Sequence, residues 1–165
     1  MTTPDLPNPG PLTAEGVTAT ANRLPMFVVF DLDGTLALTE HRAHFLERDK
    51  KDWRGFYAAC DKDPACFPLI RTLCALTTAG HFVEIWSGRS GEVREKTLAW
   101  LAENGINHVR LRMRDEGDHQ PDTTLKAAWM ADAGKPSLVF EDRASMVAMW
   151  RSHGVVCCQV APGDF

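Results

Sequence analysis

The sequence predicts an α/β domain: a central parallel sheet of about five strands with helices on both faces. Three observations carry this reading. Short apolar runs recur along the chain, helical patterns fill the intervals between them, and a glycine follows each helical pattern. A strand buried on both faces reads as a continuous apolar run, whereas a half-buried one alternates.

Residues 1–24 come first and are rich in Pro, Thr, Gly and Ala. They predict a flexible N-terminal tail, with a weak helix or irregular chain over 11–22. The folded domain is expected over 25–165. MFVVFD (26–31) is the first apolar run and ends on an acid. Residues 40–66 are irregular, charged and aromatic at once, and predict helical fragments inserted after the first strand. Such an insertion sits where ligands bind in open α/β sheets, beyond the C-terminal ends of the strands.

Pro68–Thr78 spaces Leu69, Leu73 and Leu76 as a helix does, and Gly80 stops it. HFVEIWS (81–87) is the second strand. Ser90–Asn104 predicts a helix with Val93, Leu98 and Leu101 along one side and Gly105 as its stop. HVRLRM (108–113) alternates, which suits a sheet edge. Asp122–Ala133 predicts the next helix, SLVFED (137–142) a strand, Ala144–His153 the last helix and VVCCQV (155–160) the last strand.

With 165 residues, 44% hydrophobic and 24% charged, the chain has enough core for one domain without staples. The mean hydropathy is -0.22, and no apolar run approaches the roughly 18 residues of a membrane span. A net charge of -4 argues against long-tract nucleic-acid binding but allows a small cationic pocket for one phosphate. The five cysteines include no CxxC pair, which fits neither a disulfide framework nor a zinc site. A reduced, cytoplasmic protein without a secretory leader is expected.

Four motifs carry chemistry. FDLDGTLA (30–37) delivers Asp31 and Asp33 at a strand end, with Gly34 to turn the chain. Two close carboxylates repel and call for compensation, for which Mg²⁺, a cation that prefers oxygen ligands, is suited. One carboxylate can attack phosphorus, and the other can pass protons to the leaving oxygen and from water. The plain alternative is a surface turn.

WSGRS (86–90) offers the Ser87 hydroxyl, close backbone approach at Gly88 and the Arg89 fork to a phosphate. Alone it reads as a helix N-cap loop. In DTTLKAAW (122–129), Asp122 reads as an N-cap and Lys126 follows four residues on. The pair is either a surface ion pair or a device that places a cation beside Asp31. FEDRASMVAMW (140–150) ends a strand on Glu141 and Asp142. These are metal-ligand types, or acids complementing a helix N-terminus.

The order Asp-x-Asp, Ser, Lys, acid pair resembles the haloacid dehalogenase-like phosphohydrolases, and the resemblance spans 26–165. It implies a Rossmann-like fold with a small cap or none, Mg²⁺ as cofactor and an aspartyl-phosphate intermediate. It casts Asp31 as nucleophile, Asp33 as general acid/base, Ser87 as phosphate binder and Lys126 as the charge-neutralising lysine. The metal ligands would be Asp31, Asp142 and the Asp33 backbone carbonyl, with Glu141 a further candidate.

EDRASMVAMWRSHGVVCCQVAPGDF (141–165) is similar to the end of the 3′-phosphatase domain of phage polynucleotide kinase–phosphatase. That similarity extends to Arg42, eleven residues after Asp31, to Arg89 and to Asp122. It implies that Arg42 and Arg89 handle phosphate and that Asp122 positions Lys126. The chain lacks GxxxxGK[ST], so kinase activity is not expected. The acid pair is Glu-Asp where the family has two aspartates.

The reading is a phosphatase that removes 3′-phosphate from DNA or RNA ends or nucleotides. The alternatives are a 5′-nucleotidase or small-metabolite phosphatase, and a non-catalytic module that binds nucleic-acid ends. A homodimer is a reasonable expectation. Trp53, Phe56 and Tyr57 either stack on a base or anchor the insertion. Arg110, Arg112 and Arg114 read as a solvated edge or a nucleic-acid contact.

Overall fold

The computed structural model describes residues 24–47 and 49–163. The expected tail and its weak helix at 11–22 fall outside the described residues. Within them the chain runs β1 (Phe27–Phe30), α1 (Trp53–Ala58), α2 (Phe67–Thr78), β2 (Phe82–Ser90), α3 (Arg94–Glu103), β3 (Arg110–Arg114), α4 (Asp122–Ala133), β4 (Leu138–Arg143), α5 (Ala144–Ser152) and β5 (Val156–Gly163). Short 3-10 turns precede α1 at Glu40–Phe45, follow it at Cys60–Lys62 and lead into α3 at Gly91–Val93.

The five strands form one sheet in the order β3-β2-β1-β4-β5, and every neighbouring pair is parallel. The apolar texture of β1 explains its central place. Val28 and Phe30 pack into a core on one face with Ile70 and Leu73 of α2 and Trp100 and Leu101 of α3. Val29 points the other way, into a core with Met146, Val147 and Trp150 of α5. Alternate residues of one strand thus serve two cores, so no polar residue fits between them. The alternating strand β3 is at an edge, where Arg110 and Arg112 reach Glu84 of β2. Arg114, at its end, is buried and faces the site rather than solvent.

Chain order reverses across β1 and β4, which are neighbours in the sheet but far apart in sequence. A crevice opens at the C-terminal ends of strands at such a switch point. β2 runs three residues further than the apolar pattern suggests. A register shift between Ser87 and Ser90 carries Gly88 and Arg89 along the sheet, and α3 starts correspondingly late.

Trp86 and Trp150 are both fully buried in the second core. The Trp86 indole N–H donates to Glu84 at 2.7 Å, whereas the Trp150 indole N–H has no partner among the described residues. Replacing either by Phe leaves a void, but only Trp86→Phe also discards a hydrogen bond worth about 1 kcal/mol. Urea unfolding is therefore expected to show Trp86→Phe less stable than Trp150→Phe. Equal losses would contradict this.

Candidate active site

The site begins where β1 ends. The Asp31 N–H still donates to Phe140 of β4, at 2.9 Å. The chain then closes a tight turn in which Ala37 N–H donates to the Leu32 carbonyl and Gly34 N–H to the Ala37 carbonyl, both at 2.8 Å. Leu32 is fully buried in the core, and Asp31 and Asp33 on either side of it both line one cavity. Gly34 sits at φ 81°, and a Cβ there would collide with the Asp142 carboxylate. Glycine is thus required twice over, for backbone shape and for the approach of β4.

Three buried carboxylates meet at this point: Asp31, Glu141 and Asp142 present oxygens that all lie within 4.8 Å of one another. The Lys126 ammonium reaches them from α4, donating to Asp31 Oδ1 and, at 3.0 Å, to Glu141 Oε2. The α4 helix carries it there because Leu125 packs into the core and Lys126 follows on the sheet side, only 2% exposed. Asp142 has a weaker partner, the Thr35 hydroxyl at 3.4 Å.

One ammonium does not balance three carboxylates. Burial, with Glu141 beside it, pushes the Asp31 carboxyl well above its usual range despite Lys126. Burial and Glu141 likewise push Asp142 up to about 7. Burial works to lower the Lys126 ammonium, but Asp31 and Glu141 outweigh it and keep the lysine charged. Crowded hard oxygen donors with surplus negative charge are the donor set that suits a small divalent cation.

Asp33 stands in the opposite environment. Burial would raise its carboxyl, yet Arg89 and Arg42 hold it below the usual carboxylate range. All three contacts fall on Oδ1: Arg42 Nη2 at 2.5 Å, Arg89 Nη2 at 2.6 Å and Arg89 Nε at 2.8 Å. Oδ2 takes no hydrogen bond from the described residues. Both arginines are fully buried and are held from behind by Asp63, which accepts from Arg42 Nε and Nη2 at 2.7 Å and Arg89 Nη2 at 2.6 Å.

The sequence pattern pointed Arg89 and Arg42 at a phosphate. In the structure both guanidiniums engage Asp33 and Asp63, with Arg42 also against the Phe56 ring at 4.0 Å. Ser87 is fully buried behind the cavity, its Oγ accepting from the Arg89 N–H at 3.2 Å.

Asp122 is the first residue of α4, not its N-cap, which is Pro121. Its carboxylate pairs with Arg114 and Arg143. It does not hydrogen-bond Lys126. Burial opposes its ionisation, but Arg143, Lys126 and Arg114 hold it below the usual range. A Cβ on Gly88 would approach the Asp122 carboxylate to 2.6 Å, so Gly88 lets α4 and β2 meet.

Asp31, Asp33, Gly88, Asp122, Glu141 and Asp142 therefore line a common cavity of about 190 Å³, with Lys126 beneath it. The insertion covers one side through Trp53, Phe56 and Tyr57. Asp63, Arg114 and Arg143 are site residues that the motifs did not single out.

Between about pH 4 and 7 a folded, metal-free chain holds a proton on Asp142 that the unfolded chain, with a carboxyl near 3.8, has released. The raised carboxyl thus costs stability as pH rises through that window. Removing the charge with Asp142→Asn is expected to stabilise the protein in EDTA more at pH 8 than at pH 5. Thermal unfolding at the two pH values tests this, and a pH-independent difference would contradict it.

The family model described as the polynucleotide kinase PNKP phosphatase domain matches residues 25–165. The solved Pnkp1/Rnl/Hen1 complex contains a chain 33% identical to this one, with a TM-score of 0.70 over 86% of this chain and 48% of that one. A chain of the Pnkp1/Rnl/Hen1 RNA repair complex is 32% identical, with a TM-score of 0.71 over 89% of this chain and 45% of that one. This chain thus spans about half the length of both. The Class C acid phosphatase from Bacillus anthracis, with tungstate bound, is 14% identical, with a TM-score of 0.56 over 74% of this chain and 54% of that one, and shares the fold. By family match and structural likeness together, this chain belongs to the PNKP phosphatase domains, a branch of the haloacid dehalogenase-like phosphatases.

Proposed function

We propose that this phosphatase is magnesium-dependent, works through an aspartyl-phosphate on Asp31 and removes 3′-phosphate from nucleic-acid ends. The observation that carries the mechanism is the opposite environment of the two aspartates. Asp31 sits beside the Lys126 ammonium in the carboxylate cluster, and Asp33 is gripped on one oxygen by two arginines. Two like groups pushed apart electrostatically mark a division of roles. The substrate assignment rests on the family and on its RNA repair relatives, which favour RNA over DNA ends.

In this mechanism Asp31 attacks phosphorus in line. The Asp31–phosphorus bond forms as the bond from phosphorus to the 3′-oxygen breaks. Lys126 stays protonated and offsets charge on the nucleophile and the transferred oxygens. Asp33 Oδ2, unbonded and next to the cavity, passes a proton to the leaving 3′-oxygen. That proton arrives with the substrate, since a phosphomonoester titrates near pH 6. In the second half Asp33, an anion again, takes a proton from water, which displaces Asp31 from phosphorus and yields inorganic phosphate.

The buried carboxylates of Asp31 and Asp142 and the Asp33 backbone carbonyl would hold Mg²⁺, with Glu141 engaged by Lys126. The ion would supply positive charge for the phosphoryl oxygens and relieve repulsion within the cluster. Arg42, Arg89 and Asp63 act by orienting Asp33. Asp122 holds Arg143 at the cavity wall.

Asp31→Asn is expected to reduce turnover to background while the protein remains folded by circular dichroism. Retained turnover would remove Asp31 as nucleophile. EDTA is expected to silence the wild type and Mg²⁺ to restore it, with activity under chelation as the contrary result. A panel of 3′- and 5′-phosphorylated oligonucleotides and mononucleotides tests the substrate. Preference for the 3′-phosphorylated strands is expected, and turnover of 5′-mononucleotides alone would overturn the assignment.

A further inference from the structure

The insertion before α2 has two sides. On its inner side Phe56, 5% exposed, packs against Arg42 and fixes α1 to the body of the domain. That contact does the anchoring expected of an aromatic cluster. Trp53 is left over from it: the residue is 44% exposed.

The geometry gives that ring a use. Trp53 and Tyr57, one helical turn apart, lie nearly parallel, with centroids 5.9 Å apart and planes at 29°. The Tyr57 hydroxyl donates to the Gly88 carbonyl at 3.3 Å, which ties the pair to the catalytic strand β2. Both rings line the cavity that holds Asp31 and Asp33. Both also line a second, adjoining cavity of about 600 Å³, walled on its far side by Ser90, His119 and Pro121.

Exposed cations flank the rings. Lys51 lines the catalytic cavity with its Nζ 5.7 Å from the Trp53 ring, and Arg54 lines the second cavity. Glu92 and Asp118 also line the second cavity, so its wall is mixed in charge. A mixed wall holds a strand weakly by its phosphates and leaves stacking to supply the affinity.

Resting on the 3′-phosphatase reading, we infer that Trp53, steadied by Tyr57, is the stacking shelf for the terminal base of the substrate strand, and that the second cavity receives the strand beyond it. Aromatic stacking is tolerant of base identity, because every base has a π-face, so the shelf selects a nucleoside end without selecting its sequence. It also separates a polynucleotide end from small phosphomonoesters that have no base.

The test compares two 3′-phosphorylated oligoribonucleotides, one with an intact terminal base and one ending in an abasic sugar. Each is turned over by wild type, Trp53→Ala and Trp53→Phe. Loss of the base is expected to raise the wild-type KM by about 5- to 150-fold, the span of a single base–aromatic stack, with a smaller change in kcat. In Trp53→Ala the two substrates should converge in KM, and Trp53→Phe should restore most of the gap. A Trp53→Ala enzyme that still discriminates as the wild type does would overturn the shelf, as would an equal loss on both substrates. Failure of the underlying reading is distinguishable because it appears before any substitution: the wild type would hydrolyse glycerol 2-phosphate but neither oligonucleotide.

Discussion

One ammonium among three buried carboxylates is the constraint around which the site is arranged. Asp31 and the Glu141–Asp142 pair arrive on different strands, and they meet because β1 and β4 are neighbours in the sheet. Each of these groups alone would be costly to bury as an ion. Lys126 makes the arrangement tolerable, and α4 must cross the sheet at the right height to bring it. Glycine at position 34 is part of the same requirement, because the Asp142 carboxylate occupies the space a side chain would take. The surplus of negative charge that remains works against stability. A fold seeking only stability would pack apolar residues there instead.

The second aspartate is compensated separately. Asp33 is two residues from Asp31, yet its charge is matched by Arg89 from β2 and Arg42 from the insertion. Two guanidiniums on one carboxylate would leave an excess of buried positive charge. Asp63 absorbs it, taking the other edges of both arginines. The result is a network of two acids and two arginines, extended by His41 at Asp63 Oδ1, in which Asp33 Oδ1 is pinned and Oδ2 takes no hydrogen bond from the described residues. Three hydrogen bonds on Oδ1 resist rotation of the carboxylate.

The parts of this that were legible in the sequence are those set by local pattern. Apolar runs ending on acids located β1 and β4, and their acids are the cluster. Alternation placed β3 at an edge. What stayed hidden depends on contacts across the fold. In DKDPAC (61–66) nothing separates Asp63 from Asp61, yet the first is buried between two arginines and the second is exposed. Arg114 follows Arg110 and Arg112 in an alternating strand, and its partners, the Gly88 carbonyl of β2 and Asp122 of α4, come from other elements of the fold. Arg42 and Arg89 were singled out by pattern, but their contacts with Asp33 and Asp63 were not legible. A guanidinium fits a phosphate and a carboxylate equally well, and the pairing with Asp33 and Asp63 rests on contacts that no local pattern carries.

The insertion before α2 joins two parts of the site. Residues 40–66 contribute Arg42 and Asp63 to the grip on Asp33 and, from the same few turns, Phe56, Tyr57 and the exposed Trp53 beside the cavity. Phe56 joins the two halves, since it stacks on Arg42 and its carbonyl accepts from Arg42 Nη1 at 3.3 Å. A displacement of α1 therefore cannot be confined to the surface. It pulls on Arg42 and through Arg42 on Asp33. The seat of α1 and the orientation of Asp33 are thus one packing requirement, met by the same few residues.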